Sequence, residues 1–193
     1  MVEFPTVILA GGEGRRMGGG KPLRRLDGRT LIERAVALAG TWSDEVAVAV
    51  RDPGQVGDLD VLLIQDREDI PGPLGGLAAA LAWAAGQGHD RVLTIPCDAP
   101  RLPADLAQRL DAAFVSGVGA VMAESGGRAH PTCTLWRTDA ADQILAAGND
   151  GRRSLHAAAR RAGSASVDWP DDADFFNINT PQELASASAA RRP

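Results

Sequence analysis

Short runs rich in Val, Ile and Leu alternate with Ala- and Leu-rich stretches from one end of the chain to the other. Strands buried on both faces read as unbroken apolar runs, and Ala/Leu-rich stretches closed by caps and glycines read as helices. The alternation therefore predicts an α/β domain, doubly wound, with a mainly parallel sheet and helices on both faces. Strands are expected at 6–10, 45–50, 61–64, 91–95, 120–123 and 132–136. Helices are expected at 30–40, 74–85, 102 to about 116, 140–147, 155–162 and 181–190. Thr30 and Glu33 have capping-box spacing and Gly40 closes that helix, while Pro103 suits a first helical turn, where its missing N–H costs nothing. No repeat and no linker interrupts the pattern, so one domain spanning 1–193 is expected, with low complexity only in the Ala/Ser/Arg-rich tail after Leu184.

The totals narrow the class. A hydrophobic share of 45% and a charged share of 23% are those of an ordinary globular chain, and no apolar run approaches the ~20 residues of a membrane span. Strand-like sequence begins almost at once, with no basic region and apolar segment to read as a secretory signal, so a cytoplasmic address is expected. Cys97 and Cys133 each lie in an apolar stretch, which fits reduced buried thiols rather than disulfides or a zinc cluster. A net charge of -5 argues against nucleic-acid binding, which needs a basic face. The arginine pairs at 15–16, 24–25, 152–153 and 160–161 leave room for a local phosphate site.

The chemistry concentrates after the first strand, where Gly11, Gly12, Gly14, Gly18, Gly19 and Gly20 precede Lys21. In an open α/β sheet, ligands bind at the carboxyl ends of the strands, and glycines there let backbone N–H groups approach phosphate oxygens. The P-loop pattern would need Gly at 15 and Ser or Thr at 22, where the chain has Arg15 and Pro22. The dinucleotide fingerprint from Gly12 and Gly14 would need Gly at 17, where the chain has Met17. Asp98 is expected at a strand's carboxyl end, in the sequence Pro96-Cys97-Asp98.

The string Leu9-Ala10-Gly11-Gly12-Glu13-Gly14-Arg15-Arg16-Met17-Gly18-Gly19-Gly20-Lys21 resembles the signature of nucleotidyltransferases that share a doubly wound fold, broadly L-A-G/A-G-x-G-x-R-M-G-x-x-K. Four further blocks look like those of the molybdenum cofactor guanylyltransferases, the MobA family, and come in the same order. They are Pro71-Gly72-Pro73-Leu74-Gly75-Gly76-Leu77, Pro96-Cys97-Asp98-Ala99-Pro100, His130-Pro131-Thr132 and Asn177-Ile178-Asn179-Thr180-Pro181. The resemblance implies a fold like that of the nucleotide-diphospho-sugar transferases and transfer of GMP from GTP to the phosphate of molybdopterin. By the same resemblance Leu9, Ala10, Gly11 and Gly12 line the nucleotide, Lys21 holds the triphosphate, Asp66 contacts the nucleoside end and Asp98 binds Mg²⁺. Arg16 pairs with a phosphate oxygen or braces the loop, and Arg152 and Arg153 fall in a basic stretch suited to the pterin's phosphate. GTP, molybdopterin and molybdoenzyme-maturation proteins are the partners implied, for a monomer or weak homo-oligomer.

Elementary chemistry agrees with those roles. Nucleotidyl transfer builds negative charge on departing pyrophosphate, so a lysine and a metal ion are the groups that help, and no protein nucleophile is needed. Mg²⁺ takes one or two carboxylates with waters and phosphate oxygens, which Asp98 can begin to supply. His89, His130 and His156 are scattered, with no base-and-nucleophile arrangement visible in the chain. Gly20 stands where the family usually carries Asp, and an Asn near the end of the second strand is replaced around Ala49, Val50 and Arg51. Two rivals remain open: the same transfer with CTP or onto a sugar 1-phosphate, and a nucleotide- or cofactor-binding module without catalysis. Leu9-Ala10-Gly11-Gly12 resembles the guanylyl branch, and Ala-Ala-Gly the cytidylyl and uridylyl branches.

Overall fold

A computed structural model describes residues 1–12, 18–146 and 154–189. In chain order it runs β1 (Thr6–Leu9), β2 (Arg25–Leu26), β3 (Arg29–Thr30), α1 (Leu31–Ala39), β4 (Val46–Val50), β5 (Leu62–Gln65), α2 (Pro73–Gly86), β6 (Arg91–Pro96), α3 (Leu106–Ala112), β7 (Ala120–Ser125), β8 (Arg128–Arg137), α4 (Ala141–Leu145), α5 (Leu155–Arg161), β9 (Ser164–Trp169) and α6 (Pro181–Ala189).

Seven strands form one sheet in the order β5-β4-β1-β6-β8-β7-β9. β1 pairs in parallel with β4 and β6, β4 with β5 and β7 with β9, while β8 runs antiparallel between β6 and β7. The chain winds outward from β1 to β5 and then crosses back to place β6 on β1's other side. That reversal leaves a crevice at the carboxyl ends of the strands, where doubly wound sheets bind ligands.

Alternation along the strands divides the core in two. Ile8, Val48, Val50, Leu93 and Ile95 pack with α1 and α3 on one face, whereas Val7, Ala47, Ala49 and Val92 pack with α2, α4 and α5 on the other. Helices thus cover both faces, as the apolar runs predict. Thr30 accepts from the Glu33 N–H and Glu33 accepts from the Thr30 N–H, the capping box read from the chain. Both cysteines are buried free thiols.

Three expectations need correction. The helix expected from 102 begins only at Leu106: Leu106 N–H donates to the Pro103 carbonyl in a turn, and the Asp105 carboxylate accepts from Trp169 Nε1 instead of capping. The strands expected at 120–123 and 132–136 are arms of a longer hairpin closed at Gly126 and Gly127. β9 is absent from the expected strands, because its alternating, half-exposed residues lie on a sheet edge and lack an apolar run. Glu13 to Met17 of the glycine loop, Ala147 at the end of the fourth expected helix and Arg152 and Arg153 lie outside the described residues.

Candidate active site

A cleft of about 430 Å³ opens at the strand ends. Its β1–β4–β5 side is built from Leu9, Ala10, Gly11, Gly12, Arg51 and Asp66, with Gly72, Pro73 and Gly76 from the start of α2. Its other side is Pro96, Cys97 and Asp98 from the end of β6, Thr132 from β8, and Asn177 and Asn179. Pro22 and Lys21 also line the cleft, with Lys21 against Asp98 and Asn179. Of the residues expected to act, Leu9, Ala10, Gly11, Gly12, Lys21, Asp66 and Asp98 therefore share one cleft, and Arg16 lies outside the described residues.

Asp66 follows β5 directly, and its N–H donates to the Val50 carbonyl at 2.8 Å. Glycines make its berth: a Cβ on Gly11 would stand 2.1 Å from Asp66 Oδ2, and one on Gly76 3.2 Å from Oδ1. Oδ1 is buried without a hydrogen-bond partner. Desolvation pushes the carboxyl above the ordinary range, and the nearby Arg51 charge offsets part of that rise. An unbonded buried acceptor is costly, and a ligand presenting N–H donors to this carboxylate would relieve the cost. Gly72 precedes α2 with φ 75°, a conformation open to glycine, and so brings the helix start to the cleft.

At the other side a cation is already held. Lys21 Nζ makes an ion pair with Asp98 Oδ2 and donates to Asn179 Oδ1 at 2.9 Å, and the Lys21 and Asp98 side chains are only 13% and 14% exposed. Gly20, at φ 58° and ψ 30°, starts the short turn carrying Lys21. Asp is among the few non-glycine residues that visit this left-handed region, so Gly20 and the family's usual Asp can form the same turn. Asn179 is fixed by its own N–H, which donates to Glu183 Oε2 at 2.6 Å within the Thr180–Glu183 capping box of α6. Next to it, Ile178 is fully buried and its N–H donates to the Asp98 carbonyl at 2.9 Å.

Two hard oxygens converging on an ammonium are a donor set suited to Mg²⁺, with water and phosphate completing the shell. Among the described residues, no group of three or more His, Cys, Asp or Glu could hold a metal by itself. Burial pushes the Cys97 thiol up to about 12, so this cleft residue stays neutral and is no nucleophile.

Sequence reasoning missed Arg51, Thr132, Asn177 and Asn179 as cleft residues. Thr180 and Glu183, at capping-box spacing, were the legible sign that the preceding asparagines are rigidly held. It also saw no His paired with a hydroxyl, yet His130 Nε2 and Ser125 Oγ share a 2.7 Å hydrogen bond. Ser125 is fully buried, so its hydroxyl is no nucleophile for a ligand in the cleft.

The doubly wound fold, with its cleft at the strand ends, is that of the nucleotidyltransferases. Residues 6–165 match the MobA-like NTP transferase domain, and the chain belongs to that family. It is 40% identical over 189 residues to a molybdenum cofactor guanylyltransferase of Cereibacter sphaeroides, covering 96% of each chain. It is also 40% identical over 188 residues to one of Rhodobacter capsulatus, covering 96% of this chain and 95% of that relative. Among solved structures it resembles the molybdopterin-guanine dinucleotide biosynthesis protein A of Archaeoglobus fulgidus, with a TM-score of 0.80 at 23% identity over 96% of this chain and 97% of that one. The 2-C-methyl-D-erythritol 4-phosphate cytidylyltransferase of Thermus thermophilus shares the fold, with a TM-score of 0.71 at 22% identity over 98% of each.

Proposed function

We propose that this chain transfers GMP from GTP to the phosphate of molybdopterin, forming the guanine dinucleotide cofactor and pyrophosphate, with Mg²⁺ and in the cytoplasm. The observation that carries this reading is the division of one cleft between an unbonded carboxylate oxygen at one side and the Lys21–Asp98–Asn179 cluster at the other. A triphosphate spanning the cleft sets its base against Asp66 and its phosphates against Lys21. Guanine offers the N1–H and N2–H₂ donors that a carboxylate accepts together, whereas cytosine offers only its N4 amine. The names of the relatives support the same choice of nucleotide and acceptor.

In this reading an acceptor phosphate oxygen attacks the α-phosphorus of GTP directly, one P–O bond forms, and the α–β bridge breaks to release pyrophosphate. The acceptor is largely ionised near neutral pH and needs no general base. Lys21 turns from Asp98 to the phosphates and stabilises the charge gathering on the leaving group. Asp98 and Asn179, relieved of the lysine, are the residues to hold Mg²⁺, which when bound supplies charge neutralisation on the phosphate oxygens.

Pyrophosphate release with GTP, molybdopterin and magnesium tests the reading, with CTP in a parallel arm. Release dependent on molybdopterin and much faster with GTP is expected. Equal rates with CTP would reject the guanylyl assignment, and no release with either nucleotide would reject transfer itself.

A further inference from the structure

The His130-Pro131-Thr132 block stands in a β-strand, where proline is out of place. The strand register explains it. β8 pairs with β6 only from Arg91↔Arg137 to Thr94↔Thr134. On its other edge, Thr134 faces Met122 while His130 faces the next residue, Ala123. Pro131, Thr132 and Cys133 are thus looped out of both ladders, closed by the Thr134 hydroxyl donating to the Pro131 carbonyl at 3.0 Å. Bulges of this kind re-aim side chains and end strand pairing beside sites. Here the pairing of β8 with β6 stops at Thr94, and beyond it Thr132 joins Pro96, Cys97 and Asp98 in lining the same side of the cleft.

The nucleotide side of the cleft is β5-β4-β1, and Asp98 marks the point of transfer at the end of β6. An acceptor must therefore approach from the next strand over, where the bulge has parted β6 from β8. One side chain ties the two elements on that side together. His130, at the base of the bulge, stacks on Phe175 with ring centroids 4.4 Å apart and planes 15° apart. Phe175 is buried, meets Trp169 edge-on at 5.5 Å, and leads directly into Asn177 and Asn179. The Ser125 hydroxyl fixes the imidazole's far edge.

We infer that the bulge at 131–133 opens the subsite for the phosphate-bearing acceptor between β6 and β8, and that His130 is the positioning residue that holds its outer wall, through Phe175, against the point of transfer. His130 touches no reacting atom. This rests on the proposed transfer, and wild-type turnover with GTP and molybdopterin serves as the control for that reading.

The experiment measures the molybdopterin KM by pyrophosphate release, and GTP binding by calorimetry, in His130→Ala and in the double variant Ser125→Ala with His130→Phe. The double variant keeps a ring on Phe175 and leaves no buried hydroxyl unpaired. His130→Ala should raise the acceptor KM roughly tenfold with the GTP Kd within about twofold, and the double variant should return KM to within about threefold of wild type. An unchanged acceptor KM in His130→Ala overturns the inference. So does a GTP Kd that weakens in step with KM, which signifies general loosening, and so does failure of the ring to rescue. Inactive wild-type protein would reject the transfer reading itself and this inference with it.

Discussion

At the β4–β5 side of the cleft, Asp66 is half-buried against glycine backbone with one oxygen free of any hydrogen bond; at the β6 side, Asp98 is also partly buried but already holds a lysine. Both carboxylates stand at a strand's carboxyl end, Asp66 directly after β5 and Asp98 just beyond β6, after Cys97, yet their environments prepare them for different work. Asp66 is left short of donors, so a base that supplies them gains what the empty cleft lacks, and one that cannot leaves the deficit in place. Asp98 rests in balance with Lys21, and substrate binding has to exchange its partner. One end stores discrimination, and the other stores a charge arrangement that a triphosphate rearranges.

The sharpest way to break this contrast is at Asp98. Asn keeps the size and can still accept from Lys21, but lacks the charge a hard metal ligand needs. Asp98→Asn should lower kcat about a hundredfold or more, on the order of the 3 kcal/mol lost with one electrostatic stabiliser, while the melting temperature stays near wild type. Normal turnover with normal magnesium dependence would remove Asp98 from the chemistry. Lys21→Ala should weaken triphosphate binding and turnover together. It also leaves an enclosed carboxylate without its cation, at a cost on the order of 1–3 kcal/mol, so it should melt below Asp98→Asn. The reverse order of melting temperatures would mean that the pair is not held together in solution.

Gly11→Ala probes the other end by geometry alone. The added methyl would meet Asp66 Oδ2 at 2.1 Å, and Gly76 closes the opposite side, so Asp66 must swing away. GTP affinity should fall about tenfold or more with turnover at saturation less affected, because the loss is of binding made equally before and during transfer. Calorimetry showing unchanged GTP binding would mean that Asp66 does not meet the nucleotide.

The difference between the two ends also marks how far the chain could be read. Strand-end carboxylates were legible, because Asp98 comes just past the apolar run of β6, after Cys97, and the glycine loop comes just past β1, after Ala10. The doubly wound sheet followed from apolar runs that pack on both faces. β9 stayed hidden, since a parallel edge strand is specified by its partner β7 more than by its own residues. The bulge was hidden too: His130-Pro131-Thr132 stood out as a motif, but only pairing on both edges shows Pro131 looped out of the ladders. Arg51 and Asn179 reach the cleft through sheet order and the α6 cap, contacts at long sequence separation that no local pattern encodes.

The smallest effects are expected at Asp66, where they also separate discrimination from stability. Burial disfavours the ionised form in the folded chain, so this carboxyl titrates above the ordinary carboxylate range. A protonated carboxyl cannot accept from N1–H and N2–H₂ together, so GTP affinity should decline as pH falls through that raised pKa, with a proton released on binding in the same window. Stability moves the opposite way. The penalty on the charged form is present above the folded pKa and fades as pH falls through it, so Asp66 works against folding at neutral pH and less so in acid. Asp66→Asn removes the charge and should melt at or slightly above wild type at neutral pH, a small gain because solvent screens a half-exposed group. The same variant should bind GTP several-fold more weakly and lose most of its preference for GTP over ITP, whose base lacks the N2 amine, a loss of about threefold to tenfold in the affinity ratio. Calorimetry with both nucleotides across acid and neutral pH, beside melting curves, measures all of this. An Asn variant that keeps the GTP-over-ITP ratio, or whose GTP affinity follows pH as wild type does, would show that the unbonded oxygen of Asp66 is not what reads the base.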